Sequence, residues 1–119
     1  MPRERSPFID TTASALSDLA FHILLALGSG PSHGYAIGKS VEEQSEGRLD
    51  PTTGALYQAI RRLTEDGLIA PVEAPDDTDP RRKYFALTRS GRQAVASEAR
   101  RLEALVRAAR DRKLYPQRA

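Results

Sequence analysis

The sequence contains no cysteine and no tryptophan, and only 2 of its 119 residues are histidine. The lack of cysteine excludes disulfides, thiolate metal sites and cysteine nucleophiles. The sequence also lacks a histidine–carboxylate cluster, a phosphate-binding loop and a nucleophile motif, since His22 and His33 fall near the starts of different elements. We therefore expect neither an enzyme nor a metal or cofactor site.

Long hydrophobic runs are also missing. The longest apolar run covers residues 23–27, which is far too short to span a bilayer. Residues 1–10 are charged, and no hydrophobic stretch of the secretory kind follows them. We expect a single cytoplasmic domain with a modest core and no membrane partner.

Charge is unevenly distributed along the chain. Residues 1–80 hold 6 Lys or Arg and 13 Asp or Glu, a net charge of −7, whereas residues 81–119 hold 12 and 3, a net charge of +9. A basic C-terminal third is typical of nucleic-acid binding. A solvated basic helix would give the same asymmetry, so charge alone leaves both interpretations open.

A helix is predicted over residues 50–68, and the rest of the chain is organised around it. Asp50 can cap it, Pro51 suits its first position, and Gly67 suits its end. Its apolar face is formed by Leu56, Ile60, Leu63 and Gly67. Its opposite face carries Thr53, Tyr57, Gln58, Arg61 and Arg62. A slim N-terminal turn with such a face suits reading of the major groove, although an ordinary surface helix would fit this pattern alone.

Two helices are predicted before it. The first covers residues 13–27 and has a wide apolar stripe. Residues 28–31 form a turn, and Ser32 is expected to cap a second helix over residues 33–45. Its inward side chains are predicted to be Tyr35, Ile37 and Val41. A short glycine-containing turn between the second helix and helix 51–67 is typical of a helix-turn-helix.

A β-hairpin is predicted after these helices. Residues 68–73 form one strand, which Pro71 restricts to an edge or a bulge, and residues 81–88 form the returning strand. The returning strand begins with Arg81, Arg82 and Lys83, placed for backbone phosphates. The acidic tip, with Asp76, Asp77 and Asp79, is expected to point away from DNA or to stay mobile. Such a hairpin is a wing.

The last helix is predicted to begin at Thr88 or Ser90 and to run to about residue 113. Its apolar residues recur at steps of three and four, as in a coiled coil, which favours a second copy of the chain as partner. Packing on the first helix is the alternative, and both arrangements can hold. The predicted dimerisation residues are Leu16, Leu19, Ile23, Val95, Ala99, Leu102, Leu105, Val106 and Ala109.

The resulting fold is mainly α-helical with a small β-hairpin wing. We divide it into a flexible N-terminal arm at residues 1–12, a winged helix-turn-helix at 13–88, a dimerisation helix at 89–114 and a tail at 115–119. This order, together with four motifs, resembles the PadR family of transcriptional regulators over residues 16–92. The motifs are GPSHGYAI at 30–37, GALYQAIRRL at 54–63, DGLI at 66–69 and RKYFALTRSG at 82–91.

The resemblance implies a winged-helix homodimer that binds a palindromic operator, usually as a repressor. Many members of the family respond to small aromatic or drug-like ligands. The single helix after the wing resembles the short subfamily, in which a ligand tends to sit at the dimer interface. The lack of tryptophan departs from one drug-binding branch, because the aromatic stacking platform of that branch is missing.

We therefore predict a set of DNA-binding residues on helix 51–67 and on the wing. They are Thr52, Thr53, Gly54, Tyr57, Gln58, Arg61, Arg62, Arg81, Arg82 and Lys83. Thr52, Thr53, Gln58 and Arg61 are the candidates for base edges, and Tyr57 for a phosphate or the groove edge. Arg62 has a second option, an ion pair with Glu65 or Asp66. The alternative function is a winged-helix module for protein–protein contact without DNA, which the acidic wing tip favours.

Overall fold

A computed structural model of the chain describes residues 16–74, 79 and 81–116. The helices are α1 at Asp18–Ala26, α2 at Gly34–Gln44, α3 at Thr53–Glu65 and α4 at Arg89–Asp111, with a 3-10 turn at Leu27–Ser29. The strands are β1 at Ser32–His33, β2 at Ile69–Val72 and β3 at Tyr84–Leu87. The predicted order of three helices, a hairpin and a long helix is confirmed. The predicted arm at residues 1–12 and the predicted helical residues 13–15 lie outside the described residues.

Two of the predicted helix caps are wrong. Thr52, not Asp50, caps α3, because its Oγ1 accepts a hydrogen bond from the Ala55 amide at 3.1 Å. His33, not Ser32, caps α2, and its Nδ1 accepts from the Ala36 amide at 3.4 Å. The predicted glycine stop is confirmed, since Gly67 has a φ of 78°, a conformation that glycine adopts without strain.

The hairpin belongs to a three-stranded antiparallel sheet in the order β1-β3-β2. Strand β2 lies at an edge, where Pro71 costs no ladder hydrogen bond, as predicted. Strand β1 was not predicted, because two residues are too few to show a period of two. It pairs Ser32 with Phe85 and His33 with Tyr84, which joins the start of α2 to the wing.

The core lies between α1, α2, α3 and the sheet. Its buried side chains are Ile23, Leu24, Leu27, Ile37, Val41, Leu56, Ile60, Leu63, Ile69 and Phe85. This set confirms the apolar face of α3 and the inward positions of α2 at Ile37 and Val41. Each such side chain contributes about 1.5–3 kcal/mol when fully buried. The inward placement of Tyr35 is wrong, because its side chain is 71% exposed.

The start of α4 is fixed against the end of α3. The Thr88 hydroxyl donates to the Gly67 carbonyl at 2.6 Å and accepts from the Gly91 amide at 3.0 Å. A Cβ at Gly91 would overlap the Leu68 carbonyl oxygen, so the first turn of α4 lies directly on that backbone. Among the described helices, none is both long enough and apolar enough to cross a membrane.

Candidate nucleic-acid interface

Helix α3 presents a polar face to solvent because its apolar stripe is buried. Leu56, Ile60 and Leu63 are at most 6% exposed and hold the helix on the core. The predicted base-contacting side chains are all exposed, namely Thr52, Thr53, Gln58 and Arg61. The first turn is also slim, since a Cβ at Gly54 would have no atom within 4 Å. The helix can therefore bring its N-terminal turn close to another surface.

Tyr57 extends from this face toward α2. Its phenol lies over Gly34, where an added Cβ would overlap the Tyr57 hydroxyl. Tyr57 remains 44% exposed, so the ring is held at the edge of the helix and is not part of the core. Gly34 is thus needed for the close approach of this ring, which joins the front of α3 to the first turn of α2.

The base of the wing lies beside the same tyrosine. A cleft of about 300 Å³ is lined by His33, Gly34, Tyr35, Tyr57, Arg81, Arg82, Lys83 and Phe85. The structure therefore brings the three predicted wing cations together with Tyr57, although 23 residues separate them in sequence. Opposite Arg81 and its neighbours, the start of α2 forms the other wall.

Tyr35 is a further candidate residue of this surface, although the sequence predicts that it faces the core. It lines the wing cleft and also a second cleft of about 330 Å³ that contains Lys39, Thr53 and Tyr57. The sequence held a signal for this position. Tyr35 and Ile37 are two residues apart and thus about 200° apart around a helix, so both cannot face the core. Tyr35 lies between α3 and the wing with its hydroxyl available.

His33 has a structural role. Besides capping α2, its ring contacts the Tyr84 ring edge-on, with 5.2 Å between centroids. His22 contacts the Gln44 amide nitrogen through Nδ1 at 3.2 Å. In the described residues, no group of three His, Asp or Glu side chains is arranged to hold a metal ion.

Arg62 borders α1 as well as the exposed face of α3. It is exposed on the flank of α3, where it lines a cleft of about 340 Å³ with Leu16, Ala20 and Asp66. Within the described part of the chain, Arg62 forms no ion pair with Glu65 or Asp66. Arg62 therefore lies at the border between the exposed face of α3 and α1, one helical turn after Gln58.

At the wing, Asp79 lies against two of the cations. Its carboxylate is 3.2 Å from Nε of Arg81 and 3.9 Å from Nε of Arg82. The expectation that the acidic tip points away from DNA is therefore incomplete, because Asp79 turns back toward the base of the wing. The other two tip residues, Asp76 and Asp77, lie outside the described residues.

The predicted dimerisation residues fall into two groups. Ile23 is 0% exposed within a single chain, so its assignment to the dimer surface is wrong and it belongs to the core. Leu16, Leu19 and Val95 are partly buried against that core. Farther along α4, an apolar stripe is available for a partner: Ala99 is exposed, Leu102 is 37%, Leu105 55% and Val106 38% exposed, and Ala109 is half-buried.

Known proteins resemble this chain in sequence and in fold. A protein of Streptomyces fradiae in transposon Tn4556, described as an uncharacterized 37.1 kDa protein, is 40% identical over 83 residues. The aligned region is 70% of this chain but only 22% of that relative, so this chain spans about a fifth of its length.

Three solved structures resemble the chain. A PadR family transcription regulator of Clostridium difficile R20291 is 20% identical, with a TM-score of 0.68 over 80% of this chain and 97% of that one, which shows the fold. RosR of H. salinarum is 27% identical, with a TM-score of 0.63 over 76% and 77%. PadR of Bacillus subtilis, solved in complex with operator DNA, is 26% identical, with a TM-score of 0.59 over 68% and 46%.

The family model for the transcriptional regulator PadR-like family matches residues 23–97, from the middle of α1 to the first turns of α4. The matched region includes α2, α3, the wing and every residue of the two clefts beside Tyr57. The match covers more than half of the chain, and the predicted resemblance is confirmed: the chain belongs to the PadR-like family of transcriptional regulators.

Proposed function

We propose that the protein is a sequence-specific DNA-binding regulator that places α3 in the major groove and the wing on the adjacent backbone. The observation that carries this proposal is the position of the exposed face of α3 beside the cleft that holds Arg81, Arg82 and Lys83. One surface thus combines side chains suited to base edges with cations suited to phosphates.

The base contacts come from the middle of α3. Arg61 can donate two hydrogen bonds to guanine, and Gln58 can form two with adenine, each pair giving about 1–3 kcal/mol of discrimination. Both side chains are exposed and lie one helical turn apart, so neither must leave the core to reach a base. Thr52 and Thr53 contact the bases or sugars nearest the helix N-terminus.

The backbone contacts come from the two tyrosines and the wing. Tyr35 and Tyr57 stand between α3 and the wing cations, where the DNA strand leaving the groove would pass. Their hydroxyls can donate to phosphate oxygens, and Arg81, Arg82 and Lys83 supply positive charge. These contacts do not depend on sequence and weaken as salt concentration rises.

The remaining parts of the proposal concern the assembly. Two copies joined through α4 would bind a palindromic operator with half-sites ~10 bp, or about 34 Å, apart. We propose repression as the outcome, in the cytoplasm, with release by a small aromatic or drug-like effector at the dimer interface. The cleft between α1, β3 and α4 is about 150 Å³ in one chain. Ligand pockets usually measure ~300–1,000 Å³, so both copies would have to supply walls.

The test is selection of binding sites from random DNA duplexes at two salt concentrations. We expect a two-fold-symmetric motif and steep loss of binding at high salt. The variant Gln58→Ala with Arg61→Ala should lose sequence preference but keep salt-dependent binding. The matched control, Gln93→Ala with Arg100→Ala, removes the same groups from an exposed face of α4 and should keep the motif. If the wild type enriches no sequence, the proposal fails and protein–protein contact becomes the better function.

A further inference from the structure

Asp79 forms an ion pair with Arg81 on the described part of the wing. The Arg81 guanidinium faces the Asp79 carboxylate through two nitrogens, with Nε 3.2 Å from Oδ1 and Nη2 3.5 Å from Oδ2. The backbone amide of Arg81 also donates to Oδ1 at 3.0 Å. The Arg81 side chain is 89% exposed and that of Asp79 is 30% exposed, so the pair stands in solvent at the rim of the cleft.

This arrangement uses the same edge of arginine that binds phosphate. A guanidinium binds carboxylates and phosphates alike, through two parallel N–H donors. While Asp79 holds this edge of Arg81, a DNA phosphate must displace the carboxylate to gain the same contact. Arg82, whose Nε is 3.9 Å from Asp79, is held in the same way but more loosely.

We propose that Asp79 is an internal competitor for DNA phosphate, which lowers the affinity of the wing for the DNA backbone whatever the sequence. The inference rests on the proposed function, because it concerns regulation of the same surface. An exposed ion pair is weak, worth at most about fivefold in an equilibrium constant. The competition therefore weakens the wing contact without preventing it, which shortens the residence of the regulator on DNA that lacks its operator.

Asp79→Asn is the direct test. Asparagine keeps the oxygen that accepts from the Arg81 amide, so the turn is preserved while the charge that holds the guanidinium is lost. We expect Kd for a random duplex to fall about 3–5-fold at moderate salt. The plot of log affinity against log salt should steepen by about 0.9 for one additional phosphate.

Two controls separate the pair from a general change in charge. Asp111→Asn makes the same change in net charge at the exposed end of α4 and should alter Kd less than twofold. In the Arg81→Ala background, Asp79→Asn should have a reduced effect, because the guanidinium for which Asp79 and the phosphate compete is gone. An effect of full size in that background would mean that Asp79 simply repels DNA, and the inference would be overturned.

Failure of the inference is distinguishable from failure of the proposed function. If the wild type binds no duplex at low salt, the proposed function is wrong. If the wild type binds but Asp79→Asn matches Asp111→Asn, or binds more weakly, only the inference is wrong. Weaker binding would show that Asp79 positions Arg81 for a phosphate. Thermal unfolding of each variant checks that the fold is unchanged.

Discussion

Two glycines, Gly34 and Gly54, contribute to the candidate interface in different ways. Gly34 leaves room on its own helix for the Tyr57 ring, which could not lie there over a Cβ. Gly54 faces outward instead, and an added Cβ would meet no atom of the chain within 4 Å. The first glycine therefore serves the folded chain itself, whereas nothing in the folded chain requires the second. That difference favours DNA as the surface that requires Gly54.

Gly54→Ala should consequently have effects of opposite sign on stability and on binding. Alanine is favoured over glycine in a helix by up to ~1 kcal/mol, so the free protein should become slightly more stable. In the complex the methyl group would push α3 away from the groove, and we expect affinity for a selected operator to fall about tenfold. Thermal unfolding and fluorescence anisotropy measure the two effects. Unchanged affinity would mean that this turn does not approach DNA.

Residue-level prediction succeeded where a repeating pattern was present. The spacing of Leu56, Ile60 and Leu63 identified the buried face of α3, and the exposed Gln58 and Arg61 followed from it. The inward prediction for Tyr35 was wrong because Tyr35 lies about 200° from the buried Ile37 around the helix. The contact between Tyr57 and Gly34 could not be predicted, since it depends on how α2 and α3 cross in space.

At the scale of elements, one buried carboxylate fastens α4 to the beginning of α1. Glu98 is 8% exposed, and its side chain accepts from Nε of Arg101 at 3.0 Å. The hydrogen bond from Arg101 holds the pKa of Glu98 below its usual value, against the effect of burial, and the Leu16 backbone also donates to it. A charged group as well as apolar side chains therefore lies where α4 packs against the chain before α1.

The lowered pKa of Glu98 predicts how the stability of the fold changes with pH. A carboxylate whose pKa is lower in the folded state stabilises the fold above its unfolded pKa and loses that effect as pH falls through the folded value. Glu98→Gln should cost about 1 kcal/mol at pH 7, and the gap from wild type should be smaller at pH 3, as protonation of Glu98 removes its charge. Melting temperatures at both pH values test this. A gap of equal size at pH 3 would assign the effect to shape and not to charge.

Asp18 offers a comparison for Glu98. The hydrogen bond from Arg48, at 2.8 Å, also lowers the pKa of Asp18, but both partners are about 60% exposed. Solvent screens such a pair, so Asp18→Asn should change the melting temperature less than Glu98→Gln does. The contrast separates burial from ion pairing as the source of the pH effect.

Elements were predicted in the right order but with imperfect ends. Periodicity fixes the middle of a helix, whereas its first residue depends on which side chain reaches a free amide, and several candidates stood close together before α2 and α3. Strand β1 was missed because its two residues gain strand geometry only from pairing with β3. The hairpin was predicted because its strands are longer and Pro71 marks an edge.

At the scale of the whole molecule, α4 extends beyond what one chain can cover. Its 23 residues span about 34 Å, yet only two of them, Gly91 and Glu98, are buried. Leu102, Leu105 and Val106 remain exposed on one stripe. Since a contiguous apolar stripe is unfavourable in water, a second copy of α4 across a two-fold axis is the arrangement that we propose.

Leu105→Glu tests this arrangement with little risk to the fold, because Leu105 is already 55% exposed in a single chain. A glutamate in the stripe should shift dimer to monomer in analytical ultracentrifugation. Operator affinity should then fall about 100-fold or more, because the two half-sites are no longer bound by one linked molecule. Ala104→Glu is the matched control: it adds the same charge to the opposite face of α4 and should preserve both dimer and affinity. Equal effects of the two variants would show that charge on α4, and not its apolar stripe, controls assembly.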